Sequence, residues 1–210
     1  MRITKFGHAC VRIEHRDATV VIDPGVFTEA EAVDGATAIL VTHEHPDHWD
    51  ASHLRRTDAL VHTIGAVAAQ LPPDIAERTL VHSPGGQPEI GVETTLVGEK
   101  HAEIYRELPH FDNSGYLFEI DGITLFHPGD ALTIPEQAID VLFLPASAPW
   151  LKASECIDYA IAVGARQNIP IHEAVYSEAG LGIVLSHVQR FIEPRGQEVR
   201  RLQAGEDLSL

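Results

Sequence analysis

Two cysteines in 210 residues cannot build a disulfide framework or a thiolate metal site, since Cys10 and Cys156 lie far apart and share no paired spacing. Both read as small apolar side chains near strand or helix positions. Long hydrophobic runs are also missing. No stretch approaches the ~20 apolar residues that a bilayer span requires, so a membrane partner is not expected. Residues 1–16 include Lys5, His8, Arg12 and Glu14 and lack the unbroken apolar stretch of a secretory signal. A cytoplasmic location is the expectation. Positive charge is scarce, with 15 Lys and Arg against 31 Asp and Glu, a net charge of −16. An acidic surface repels phosphate backbones over about a Debye length, ~8 Å at physiological salt. Long nucleic acid is therefore a disfavoured partner and a small-molecule substrate the expected one. Repeats, low-complexity tracts and linkers are absent, and the length suits one domain over 1–210. Nothing in the sequence sets an oligomeric state.

What is present is a globular composition, 44% apolar and 22% charged, close to the average for folded domains. Short runs at 2–6, 10–14 and 19–22 read as strands, the third closed by the turn residues Asp23-Pro24-Gly25. The apolar run at 38–41 reads as a buried strand that delivers the loop behind it. Strands are also expected at 59–62, 79–82 and 94–97, with a short helix at 66–71 stopped by Pro72-Pro73. Asp121-Gly122, between strands at 115–120 and 123–127, is a strong two-residue hairpin signal. A strand at 141–144 and a helix at 154–163 follow, with Ser154 as N-cap and Gly164 near the end. A strand at 169–172, a helix at 181–191 and a strand at 198–202 complete the pattern. Strand-rich halves interleaved with helices indicate an α/β or α+β sandwich.

The abundant residue is histidine, 13 in all and partly clustered. Imidazole suits borderline-soft metals at neutral pH. The segment His43-Glu44-His45-Pro46-Asp47-His48 holds three imidazoles and an interleaved aspartate directly after a buried strand. An extended segment turns residues i and i+2 to one side, so His43, His45 and Asp47 can point together, with His48 at the next turn. One such segment can offer two ligands to one metal and two to a neighbour. A histidine-rich surface loop is the bland alternative; the interleaved aspartate and the buried strand ahead of it favour the metal.

Thr42–His48 resembles the HxHxDH signature of the metallo-β-lactamase-fold superfamily, whose branches include glyoxalase II, tRNA 3′-processing endonucleases and lactonases. Gly7-His8-Ala9-Cys10, Asp23, Phe126-His127-Pro128-Gly129-Asp130 and Pro170-Ile171-His172 fall in the same order as in that superfamily. The short length, the Gly-His start and the strand at Gly115-Tyr116 resemble the compact branch of ascorbate-6-phosphate lactonase-like hydrolases. The resemblance implies a four-layer αβ/βα sandwich with metals at one edge of the paired sheets. It implies His43 and His45 on a first metal, Asp47 and His48 on a second, Asp130 bridging both, and His172 completing the second. The first metal's third histidine is His101 by its place after a strand and before the hairpin, with His110 as the alternative. His8 and Asp23 fit better behind the ligands, where such groups orient a ligand imidazole.

The implied cofactor is zinc, two ions, with manganese or iron also compatible with nitrogen and oxygen donors. The implied reaction is attack by a metal-bound hydroxide on a small ester, lactone or phosphoester, Asp47 orienting the hydroxide. A nuclease or phosphodiesterase role and an iron-dependent, persulfide-dioxygenase-like oxidation are the alternatives. No general acid can be assigned. Trp150 and Lys152 read as a buried tryptophan and an exposed lysine, with shaping of a substrate pocket as the alternative, and His127 as lining the pocket or facing solvent. His15, His53, His62, His82 and His187 read as structural or surface residues.

Overall fold

Strands buried along their whole length belong at the middle of parallel sheets covered on both faces, and Val141–Pro145 is such a strand, with all five residues buried. In the computed structural model, which describes residues 1–209, it lies inside one of two sheets. The first sheet comprises β1 (Arg2–Lys5), β2 (Val11–His15), β3 (Ala18–Ile22), β4 (Ala38–Leu40), β5 (Leu60–Thr63) and β6 (Thr79–Val81). The second comprises β7 (Glu93–Val97), β8 (Gly115–Ile120), β9 (Ile123–His127), β10 (Val141–Pro145), β11 (Gln167–Ile171) and β12 (Glu198–Val199). A last strand, β13 (Glu206–Leu208), pairs antiparallel with β1 and gives the first sheet the order β13-β1-β2-β3-β4-β5-β6. The second runs β12-β11-β10-β9-β8-β7.

Both sheets change from antiparallel to parallel pairing part-way across. β1, β2 and β3 form a meander, after which β3 to β6 run parallel. β7, β8 and β9 form the second meander, after which β9 to β12 run parallel. A cluster containing Ile3, Val20, Ile39, Phe118, Phe143 and Ile171 joins the two sheets face to face. Helices α4 (Ala153–Val163) and α5 (Glu178–Ile192) cover the far face of the second sheet through Cys156, Tyr159, Val188 and Ile192. The short helices α1 (Ala51–Arg55), α2 (Gly65–Ala68) and α3 (Pro73–Ala76) pack on the first sheet's side through Leu54, Val67 and Ile75. This is the expected four-layer αβ/βα sandwich. Among the described residues no helix is long and apolar enough to cross a membrane.

The hairpin at Asp121-Gly122 forms as expected, with Ile120 opposite Ile123 and positive φ at both turn residues. Other details differ. Helix α4 starts at Ala153 with Lys152 as N-cap, and Glu155 accepts the Lys152 N–H, so Ser154 lies inside the first turn instead of capping it. Pro72-Pro73 stops α2 but also starts α3, because proline at the first helical position has no N–H to lose. Helix α5 begins three residues early, where the Ser177 hydroxyl accepts from Gly180 N. The histidine segment is not extended: it turns, with His48 N donating to the His45 carbonyl.

Candidate metal centre

Open α/β sheets place their sites beyond the carboxyl ends of parallel strands. Here β3, β4, β9, β10 and β11 deliver Asp23, the segment 42–48, Asp130, Ser147 to Trp150, and His172 to one edge of the sandwich. The two sheets are tied at that edge. The Tyr116 hydroxyl donates to the Val41 carbonyl, and Ser114 N donates to the Thr42 carbonyl. Two glycines permit the crowding. A Cβ on Gly25 would fall 1.9 Å from the Asp47 carbonyl oxygen. One on Gly129, at φ +64°, would fall 2.3 Å from Asn113 Oδ1.

Asp23 organises the first ligand segment. Its Oδ1 accepts Thr42 N at 2.8 Å, and its Oδ2 accepts both Thr42 Oγ1 and His48 Nδ1 at 2.7 Å. The Thr42 hydroxyl, having given its proton to Asp23, accepts from His43 Nδ1 at 3.0 Å. Both imidazoles therefore donate through Nδ1 and turn Nε2 inward, the nitrogen that carries the lone pair whenever the ring is neutral. His101 and His172 are set the same way, their Nδ1 atoms donating to the carbonyls of Ala102 and Ser147, each at 2.6 Å. His172 is held at φ +68°, an uncommon backbone state outside glycine. His45 faces the centre through Nδ1, 3.0 Å from His43 Nε2.

Two groups result. His43, His45, His101 and Asp130 have candidate ligand atoms within 4.8 Å of one another, and so do His8, Asp47, His48 and His172. Asp130 faces both. Its Oδ2 lies 3.4 Å from His101 Nε2 and 3.0 Å from His172 Nε2, and its Oδ1 lies 3.1 Å from His48 Nε2. All seven expected ligands thus converge. His110 does not: its Nε2 donates to the His101 carbonyl at 2.8 Å.

Whether these residues suit a cation is answered by four buried atoms. The Nε2 atoms of His48, His101 and His172 and Oδ1 of Asp130 have no hydrogen-bond partner. A buried polar group without one costs ~1–3 kcal/mol, so four at one point need a ligand that accepts their lone pairs. Imidazole and carboxylate donors without a thiolate fit zinc, manganese or iron.

The electrostatics agree. Burial would raise the Asp130 pKa, but His48 and His172 hold it well below the carboxylate range. Burial also opposes ionisation of Asp47, and the His172 and His8 imidazoles, 3.4 and 3.1 Å from its Oδ2, keep it ionised. Burial lowers His48 and His172, yet Asp130 with Asp23 carries His48 well above its ordinary value, and Asp130 with Asp47 carries His172 up to about 9. His43 is pushed well below by burial. A cation must displace protons from His48 and His172, so binding tightens as pH rises.

Two residues depart from their first reading, Trp150 toward its alternative as a pocket residue. Trp150 is not merely packing: its indole N–H donates to Asp130 Oδ2 at 3.0 Å, and its ring lines an open cavity of about 790 Å³ with His101, Leu132 and Lys152. Its position after the buried strand β10, whose carboxyl end faces the centre, was the available signal. His127 neither lines that cavity nor meets solvent. It is fully buried, its Nε2 donating to the Ala9 carbonyl and its Nδ1 accepting from Gly129 N. Cys10 and Cys156 are buried free thiols, as expected.

The sequence profile of the β-lactamase superfamily domain matches residues 2–172. The chain belongs to the metallo-β-lactamase superfamily. Among its relatives in that superfamily is a UPF0173 metal-dependent hydrolase of Geobacillus thermodenitrificans, 31% identical over the full length of both chains. Protein Rv0786c of Mycobacterium tuberculosis is 37% identical over 87% of this chain and 89% of its own. The fold is shared with Igni18, a metallo hydrolase of Ignicoccus hospitalis, at a TM-score of 0.74, 19% identity, and coverage of 99% and 97%. It is shared also with CmlA, a diiron β-hydroxylase of Streptomyces venezuelae, at a TM-score of 0.73 and 15% identity, over all of this chain and 54% of that one.

Proposed function

We propose that this superfamily member is a metal-dependent hydrolase with a dinuclear centre, acting on a small ester, lactone or phosphoester. The observation that carries the reading is the pair of adjacent ligand groups with Asp130 reaching from the first toward His48 and His172 of the second, and three buried Nε2 atoms without a hydrogen-bond partner around it. His43, His45 and His101 would hold one cation, Asp47, His48 and His172 the other, and Asp130 both. Two such ions would supply Lewis acidity and an activated water at neutral pH; zinc is the first choice. The name of the Geobacillus relative supports hydrolysis.

The chain's own residues do the rest. Asp47, partly exposed and ionised, faces the second group and orients the attacking oxygen. Trp150 holds the shared carboxylate and walls the cavity beside the first group. At about 790 Å³ that cavity admits a small molecule. Lys100 and Lys152 at its rim pair with Asp112 and Glu155.

Screening lactones, carboxylic esters and phosphodiesters with zinc- or manganese-loaded protein tests this. Turnover that disappears in His45→Ala or Asp130→Ala, with the fold retained, is expected; undiminished turnover in either variant contradicts it. A second reading, iron-dependent oxidation, draws on the all-nitrogen-and-oxygen donor set and on the fold shared with CmlA. It predicts oxygen consumption by iron-loaded protein and no hydrolysis.

A further inference from the structure

His8 falls within the second ligand group by distance alone, its Nε2 lying 3.1 Å from Asp47 Oδ2 and its ring centroid 4.0 Å from that of His172. Distance does not decide whether it ligates. The other nitrogen does. His8 Nδ1 accepts a hydrogen bond from the backbone N–H of Ala174 at 3.2 Å. A backbone N–H can only donate, so Nδ1 carries a lone pair, and the single proton of the neutral ring is on Nε2. Binding a cation through Nε2 while Nδ1 keeps that bond would strip the ring of its last proton. His48, His101 and His172 show the reverse arrangement, Nδ1–H donating outward and Nε2 left free to face the centre.

We infer that His8 is not a ligand but a positioning residue, a fixed Nε2–H donor that holds Asp47 Oδ2 toward the second cation. Its orientation is locked from three sides. His8 N donates to Glu173 Oε1 at 3.1 Å, and His172 N donates to the His8 carbonyl at 3.2 Å. Glu173 is itself held by the buried Lys5 ammonium at 2.8 Å. The turns bearing His8 and His172, both at positive φ, are thereby joined into one unit. Phe27 packs edge-on against the ring, which is 1% exposed, so water does not compete for the Nε2 proton. The oxygen His8 holds is also the one 3.4 Å from His172 Nε2. The same donor therefore fixes which carboxylate oxygen joins the second group.

This inference rests on the second group holding a cation, and the test separates the two. Long-range proton–nitrogen NMR of the full chain at neutral pH reads the tautomer of each imidazole with or without added zinc. His8 is expected to be protonated on Nε2 in both conditions, opposite to His48, His101 and His172 of the zinc-loaded protein; protonation of His8 on Nδ1 overturns the inference whether or not zinc binds. Two variants then read the role. His8→Ala should keep two zinc ions per chain but weaken the second by ~10-fold or more, lowering kcat more than it raises KM. His8→Gln, whose amide places an N–H near the lost Nε2–H, should recover most of both. Loss of one zinc ion in both variants marks His8 as a ligand and refutes the inference, as does unchanged zinc affinity in His8→Ala. Failure of wild-type protein to bind zinc sinks the metal reading, while the NMR result still decides the tautomer.

Discussion

Replacing Asp23 with asparagine changes one atom of a buried side chain and should disable ligands on both cations. Asp23 Oδ1 must still accept Thr42 N at 2.8 Å, so the new amide nitrogen falls where Oδ2 was. There it faces Thr42 Oγ1 and His48 Nδ1, both of which donated to Oδ2 at 2.7 Å. The amide can only donate at that atom. His48 must then accept on Nδ1 and move its proton to Nε2, the atom 3.1 Å from Asp130 Oδ1. Thr42, now an acceptor from the amide, turns its own proton toward His43 Nδ1, and that ring inverts too. Both rings now present an N–H where a cation needs a lone pair. Loss of an orienting partner typically weakens metal binding by ~10–100-fold, or ~1.4–2.8 kcal/mol, and two inverted rings place Asp23→Asn at or beyond the upper figure. Competition with a chromophoric chelator measures it. Thr42→Val is the companion: it deletes the hydroxyl that links Asp23 Oδ2 to His43 Nδ1 while leaving His48 Nδ1 on Asp23, and should weaken one cation of the two. Asparagine protein that binds two cations with wild-type affinity would refute the tautomer argument.

Other outcomes follow from the same geometry. Trp150→Phe keeps the cavity wall but deletes the N–H on Asp130 Oδ2; zinc affinity should fall ~10-fold with KM little changed, by chelator competition and steady-state kinetics. Chelation should lower the melting temperature: each cation at 1,000 times its Kd adds ~4 kcal/mol, and at ~2–4 °C per kcal/mol for a chain of this size the loss per ion is about 10 °C in calorimetry. His62, outside the centre, is buried against His82 and pushed down to about 4. A histidine with a depressed folded pKa contributes stability present above its unfolded value near 6.5 and lost as pH falls toward 4. His62→Gln should therefore flatten the acid limb of the melting temperature against pH, and an unchanged limb would contradict that origin.

Much of this centre was legible because its signals are local. Asp121-Gly122 needs only two residues at positive φ to declare a hairpin. The segment 43–48 carries four donors in six positions, and resemblance supplied the order of the distant ones. Features that depend on the assembled chain were not legible. Strand β13 exists because the chain's end returns to β1, about 200 residues away, and no local periodicity announces a three-residue edge strand. Helices as short as α1 and α3 carry too few residues for a 3.6-residue period to show. His127 ends a strand, where alternation left two faces open; packing turned it inward to Ala9. The indole of Trp150 reaches a carboxylate twenty positions earlier, a contact that only the parallel pairing of β9 and β10 brings about.

Anomalous diffraction at the zinc edge from crystals grown with zinc tests the dinuclear centre most directly. Two peaks flanking Asp130 are expected, one bounded by His43, His45 and His101, the other by Asp47, His48 and His172, with His8 outside both coordination spheres. A single peak away from Asp130, or none at full zinc loading, would contradict it.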